Sequence, residues 1–484
     1  MSGADGDPGR LARDITSRTA TATIVAQTLG RAVALLAVIG STAIVARHLD
    51  LDTYADWATV LSVTALAGVL LDPGISPVVV RRLAQDPATA PNAASLVRAR
   101  LGLGAVTLLI VVVATLLLRG ADAVALGIVL GAQVVPRAIV LNATPWLQID
   151  HRLHRQTAWE AGAAGLGLAC LAAAAAAGAS APVLAFAGFT GPALLLTIAI
   201  AHELRVTPSR QRDVPGPQGE RVRSVLREVA PLALALLLVA TYTRSFVVFL
   251  NVDEDSEVVS QFLFAFQFIE QLIVAAGIVA GAALPLLAIR HSKEPLLRDG
   301  LSHDLLVAVS VVGGLIAATI VLVATPLTRI IGGPDLAPAN EYLTLLAPMG
   351  AVIIPAFMLG YLYVAAGRAG DYLWFNLFAL ALNLAAGAIF TLHYGAVASA
   401  RISWATEAVV VTLALIAVAR HSATGRRAAG RIALVTVIAV VGAELVAEDV
   451  LPPVAAAAAI AAGVTLSGHR QLRWLAGSML SRSG

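Results

Sequence analysis

Cysteine is all but absent: Cys170 is the only one in 484 residues, so no intramolecular disulfide can form and no multi-thiolate zinc site can be built. Charge is scarce too. Asp, Glu, Lys and Arg make up 13% of the chain, against about 25% in soluble domains, which leaves too little polar surface to cover a water-soluble fold of this length. Lysine occurs once, at Lys293, a bias that fits codon usage in a GC-rich genome and carries no functional reading. The G-x-x-x-x-G-K-[ST] phosphate loop is missing, so direct use of ATP through such a loop is excluded. The histidines are scattered, with His151 and His154 in a basic segment, and neither a zinc arrangement nor a Ser-His-Asp constellation can be drawn from them. Basic segments of this kind suit anionic lipid headgroups, and nucleic acid is not needed to explain them.

What the chain does have is apolar length: 58% of its residues are hydrophobic and the mean hydropathy is +0.83. They fall into blocks of roughly 20, the length that crosses about 30 Å of hydrocarbon. Windows and turn signals predict fourteen spans, at 20–46, 55–79, 101–118, 123–148, 157–178, 182–203, 229–250, 258–288, 303–327, 341–365, 372–391, 395–419, 432–447 and 453–468. Twelve spans with a re-entrant hairpin is the alternative, since 453–468 is short and mostly alanine. The polar start with Arg10, Arg13 and Arg18 leads into a long apolar run that reads as a first span and not as a cleaved signal peptide.

Orientation follows from the basic residues. With the N-terminus on the cytoplasmic side, 26 of the 33 Lys and Arg fall in inner segments and three (Arg47, Arg119, Arg329) in outer connections. Arg31, Arg137, Arg244 and Arg401 fall within spans. The outer turns are acidic, as at Asp50 and Asp52, at Asp253–Glu257, and at Glu448 and Asp449. Trp57, Trp146, Trp159 and Trp374 lie near span ends, where interfacial aromatics belong. The expected organisation is a cytoplasmic tail at 1–19, an N-lobe at 20–203, a Pro- and Gly-containing cytoplasmic linker at 204–228, a C-lobe at 229–419, a further helix pair at 432–468 and a second cytoplasmic tail at 469–484. That tail fits a short amphipathic helix or a solvated end equally well. Both lobes begin alike, with a basic segment, a span holding one arginine, an acidic outer turn and a polar-striped span. The fold class expected is therefore an all-α polytopic membrane protein of about fourteen helices, two six-helix lobes forming an internal repeat plus an appended pair, an architecture that places transport sites between repeats.

Several short stretches carry a resemblance. Ala46-Arg47-His48-Leu49-Asp50, Tyr54, Leu71-Asp72-Pro73-Gly74-Ile75-Ser76 and Arg81-Arg82 come first. Ala282-Ala283-Leu284-Pro285, Leu382-Asn383-Leu384, Tyr394-Gly395-Ala396-Val397-Ala398-Ser399-Ala400 and Glu407 follow in order. Together, over about residues 15–420, they resemble bacterial polysaccharide-repeat-unit flippases of the multidrug/oligosaccharidyl-lipid/polysaccharide exporter superfamily. Ala55 stands where a glycine is usual in the first outer turn. The resemblance implies alternating access on a polyprenyl-diphosphate-linked oligosaccharide in the cytoplasmic membrane. No cofactor is implied, and a proton or sodium gradient is the energy source to test. The implied partners are the lipid-linked saccharide, membrane lipids and other polysaccharide-assembly proteins.

The spacing of polar residues supplies candidates. Thr19, Thr23, Gln27 and Arg31 recur every fourth residue along the first span. Thr241, Arg244 and Ser245 share a face of the seventh, and Ser260, Gln267, Glu270 and Gln271 share one of the eighth. By the resemblance these spans line the transport cavity. Arg31 and Arg244, with Gln27, Gln267 and Gln271, would hold the diphosphate and sugar, since guanidinium binds phosphate oxygens in bidentate fashion. Glu270 is the candidate coupling-ion site. The competing reading has the arginines paired with Glu270 or with carbonyls to hold helices together. Arg137 is expected to pair with Glu160 on the next span, Arg401 to snorkel outward, and Asp72 to end a helix beside the Pro-Gly turn. A cation-coupled drug exporter of the same superfamily and a membrane glycosyltransferase using lipid-linked sugars are the alternative functions. Two cavity arginines disfavour the first, and the short 326–340 outer connection disfavours the second.

Overall fold

In the computed structural model the apolar windows are helices, and no strand occurs among the described residues. Those are residue 30 and residues 32–72, 74–85, 90–149, 152–206, 218–291, 300–366, 368–420 and 423–480. Ten helices are long and apolar enough to cross a bilayer, an eleventh span is the bent pair Ala339–Leu346 and Met349–Tyr363, and Ala32–His48 and Pro453–Gly468 are shorter apolar helices. One of the ten, Gly370–Ala419, runs over 50 residues and breaks at Gly395, so it holds two of the predicted spans. The protein is a polytopic helical membrane protein of about fourteen spans, and the appended pair is fully helical.

The chain forms two compact units. The first comprises Met1–His48 and Ala67–Ala230; the second comprises Leu49–Leu66 and Pro231–Gly484. In the first unit, α1 (Ala32–His48) leads toward α2 (Leu51–Gly68), most of which belongs to the second unit. The chain re-enters the first unit through a 3-10 turn, Val69–Leu71, and α3 (Ile75–Gln85). Asp72 marks this break as expected: its Oδ1 accepts the Ser76 backbone N–H at 2.9 Å and lies 3.2 Å from the fully buried Arg100 guanidinium.

Arg100 itself lies inside α4 (Ala93–Arg119), which starts before the predicted 101. Asn92 caps that start, its side chain accepting the Ser95 N–H at 2.9 Å; such a cap is worth about 1 kcal/mol and lets a basic stretch begin the helix. The first unit continues with α5 (Val124–Ala132), α6 (Val134–Ile149), α7 (Leu153–Ala176), α8 (Ala181–Ala185), a π-turn Phe186–Thr190 and α9 (Gly191–Val206). Next comes α10 (Gln218–Arg244), whose helix already begins within 204–228. Trp146 is buried in a cluster with Ile75, Val79, Leu96, Val225 and Val229, and Trp57 is also buried. Both are core residues, whereas Trp159 and Trp374 are exposed as interfacial aromatics are.

The second unit holds α11 (Phe246–Asp253), α12 (Ser256–His291), α13 (Gly300–Gly332), α14 (Ala339–Leu346), α15 (Met349–Ala365), α16 (Ala369–Ala386), α17 (Leu392–Ala419), α18 (Ala423–Ala447) and α19 (Pro453–Leu480). The last pair packs on α13 through Val311, Ala317, Ala318, Val435, Ala439, Ala456 and Val464. Lipid is as apolar as leucine, so such contacts depend on small residues and close approach. A Cβ on Gly314 would lie 2.8–2.9 Å from the Val464 and Val435 methyls, so this seam has no spare volume. Arg401 does not snorkel freely: Nη2 bonds Glu444 Oε2 at 2.6 Å and Glu448 Oε1 at 3.2 Å, tying α17 to α18. Beyond Gly468, where the backbone leaves helical geometry, α19 continues to Leu480.

Candidate functional site

The polar stripes predicted on α10 and α12 meet inside the second unit. Arg244, the last residue of α10, directs Nε and Nη2 at one oxygen, Glu270 Oε1, at 3.2 and 2.9 Å. Their side chains keep 12% and 15% exposure, so the pair is neither sealed in the core nor on an open surface. One turn earlier on α12, Gln267 donates to the buried Tyr54 hydroxyl of α2 at 3.1 Å. Gln271 lies one residue beyond Glu270, half-buried and without a hydrogen bond to the described residues. Arg31 and Gln27 lie outside the described residues.

The first half of α2 is fastened to this site by further bonds. Thr59 donates to Asn251 Oδ1 at 3.2 Å, and Ser260 donates to the Leu51 carbonyl at 2.6 Å. Asp50 caps α2, accepting the Thr53 N–H at 2.9 Å, and that bond holds its carboxyl below the usual carboxylate range. An acidic residue at a helix N-terminus both caps the free N–H and complements the helix dipole.

Behind Arg244 lies a buried polar cluster that pattern reading found only in part. Ser245 bonds Asn383 Oδ1, and Asn383 donates to Thr406 at 2.9 Å. Tyr242 donates to Asn376 Oδ1 at 3.3 Å and also meets Glu407, which is 1% exposed. Glu407 Oε1 has no hydrogen-bond partner, and no basic side chain reaches ion-pair distance of it among the described residues. Asn376 and Asn383 sit two turns apart on α16, a signal visible in the sequence once α16 is read as a face.

In the first unit the expected Arg137–Glu160 ion pair does not form. Glu160 influences Arg137 only through its field, while its Oε1 accepts Gln156 Nε2 at 2.8 Å. Gln156, one helical turn away on the same helix, braces the carboxylate from its own side, and no guanidinium bond to it forms.

Helices of this number and polarity, with charged pairs inside the spans, define a polytopic helical membrane protein. The solved structure entitled "Lipid II flippase MurJ, inward closed conformation" superimposes with a TM-score of 0.67 at 10% identity, over 94% of this chain and 99% of that one. An inward-facing multidrug resistance MATE family transporter of the MOP superfamily gives 0.56 at 18% identity, over 83% and 95%. A MOP superfamily transporter from Pyrococcus furiosus, described as having a binding pocket of reversed polarity, gives 0.51 at 15% identity, over 84% and 95%. No curated protein matches the sequence. The chain belongs to the family described as polysaccharide biosynthesis protein, which it matches over residues 18–291, more than half of its length.

Proposed function

We propose that this protein is a flippase that moves a polyprenyl-diphosphate-linked oligosaccharide from the inner to the outer leaflet of the cytoplasmic membrane by alternating access, for cell-surface polysaccharide assembly. No bond is made or broken. Family membership supports the polysaccharide context, and the fold supports a transporter. The observation that carries the reading is the Arg244–Glu270 pair: a half-buried guanidinium held by a single carboxylate oxygen, with Gln267 and Gln271 on the same face. Phosphate oxygens bind guanidinium in bidentate, charge-assisted fashion, so an arriving diphosphate displaces Glu270 from Arg244. The released carboxylate then takes a proton or sodium ion, which couples cargo to the gradient. Arg31 and Gln27 of the first span are further candidates for holding the cargo in this reading, and both chain ends face the cytoplasm.

A cationic drug cargo fits less well, because Arg244 would repel it. A conditional depletion strain separates these readings. Flipping predicts loss of surface polysaccharide and accumulation of lipid-linked saccharide units in the inner leaflet, whereas a drug exporter predicts drug sensitivity with normal surface polysaccharide.

A further inference from the structure

Helix α6 exposes a face that a lipid-facing helix would not carry. Between 134 and 148 its exposed side chains are Arg137 and Gln148, and no large apolar residue is exposed there. By contrast α4 exposes Val106, Leu109, Ile110, Val113, Leu116 and Leu117, as a helix against lipid does. Arg137, Thr144 and Gln148 fall on one side of α6 by helical spacing, and Arg137 lies deep inside the apolar span Val124–Gln148. An arginine at that depth faces protein or a wet cavity, not hydrocarbon, and an exposed side chain there fits the cavity.

Its donors are uncommitted. Arg137 makes no side-chain hydrogen bond or ion pair with the described residues, whereas Arg100, Arg244 and Arg401 are each held by a carboxylate. Gln156 braces the neighbouring polar groups, donating to Thr144 Oγ1 at 3.0 Å and to Glu160 Oε1 at 2.8 Å. Glu160 acts on Arg137 only through its field.

We propose that Arg137, with the exposed Gln148 on the same face, is an anion site of the first unit that takes a phosphate group of the cargo. Glu160 is the opposing charge that keeps this hold weak enough to release. The cargo's identity rests on the flippase reading; the anion chemistry rests on α6 alone. A phospholipid headgroup offers the same phosphate chemistry, and the test separates the two sources.

The test is thermal-shift titration of the purified full-length protein with farnesyl diphosphate, with phosphatidylglycerol in a parallel arm. Arg137→Ala should leave the ligand-free midpoint unchanged and weaken farnesyl diphosphate binding roughly tenfold or more. Arg137→Lys should lose less, and Glu160→Gln should bind more tightly. If Arg137→Ala binds the diphosphate as the wild type does, the site is refuted while the flippase reading stands. A lower ligand-free midpoint in Arg137→Ala, restored by adding Glu160→Gln, would make the residues a structural pair and refute the site as well. An Arg137-dependent shift with phosphatidylglycerol alone overturns the cargo assignment. No shift of the wild type with either compound overturns the site and leaves the flippase reading, which rests on Arg244 and Glu270, to its own test.

Discussion

Arg244 and Glu270 are 26 positions apart in sequence and within 3.2 Å in space, and the meaning of that contact is open to direct measurement. Breaking a buried ion pair that serves only structure costs about 3–5 kcal/mol, enough to deplete a protein of ordinary stability. If the pair exchanges with cargo, Arg244→Ala removes charge-assisted bonds worth about 1.5–3 kcal/mol from the bound state instead. Arg244→Ala should then abolish export at normal abundance, Arg244→Lys should retain part of it, and Arg244→Ala with Glu270→Ala should not recover. Glu270→Gln should transport poorly and lose its response to an imposed proton gradient. Immunoblots beside surface-polysaccharide assays decide: low abundance of Arg244→Ala, restored in the double variant, is the outcome that assigns the pair to structure. The periodicity of α10 and α12 made both residues visible in the sequence. What it could not show was which partner each would choose, since Glu160 had an equally plausible arginine nearby and bonded Gln156 instead.

The Tyr394-Gly395-Ala396 stretch becomes physical at the scale of the helix. Gly395 has φ 65° and ψ −150° inside α17, a region open essentially to glycine alone. The break frees the Ala396 N–H, which Glu254 Oε1 accepts at 3.1 Å, so an acidic turn caps a helix far away in sequence. A Cβ on Gly395 would collide with that same oxygen. Gly395→Ala should therefore destabilise the protein by about 1–3 kcal/mol from backbone strain, with the collision added. Glu254→Ala should cost about 1 kcal/mol through the lost cap. Thermal unfolding of the purified variants checks the order; a Gly395→Ala midpoint at or above that of Glu254→Ala contradicts it. Break points of this kind were legible as Gly and Pro signals. Helix starts were less so: basic residues before 101 looked like a loop, and the Asn92 cap that carries them into α4 is a single polar residue among several.

For the whole molecule, hydropathy and charge were enough to read a helical membrane protein of about fourteen spans, because bilayer thickness dictates element length. Packing within each unit was not legible. Most of α2 groups with the second unit, through Thr59, Ser260 and Gln267 contacts that no spacing rule announces. Membrane orientation rests on charge alone and predicts labelling. In a Cys170→Ser background, cysteines at Ser256, Asp335 and His393 should react with an impermeant thiol reagent on intact cells, and those at Ser224 and Arg427 should not. Reaction of the second set would invert the topology.

The most direct test of the central claim follows one lipid-linked oligosaccharide across a bilayer. Proteoliposomes carrying the purified protein and a labelled polyprenyl-diphosphate oligosaccharide in both leaflets are exposed to an impermeant glycan oxidant. The account predicts that the inner-leaflet pool becomes oxidised as it is carried outward under a gradient, and stays protected in vesicles containing Arg244→Ala. An inner pool that remains protected with correctly inserted wild-type protein, under either a proton or a sodium gradient, would contradict it.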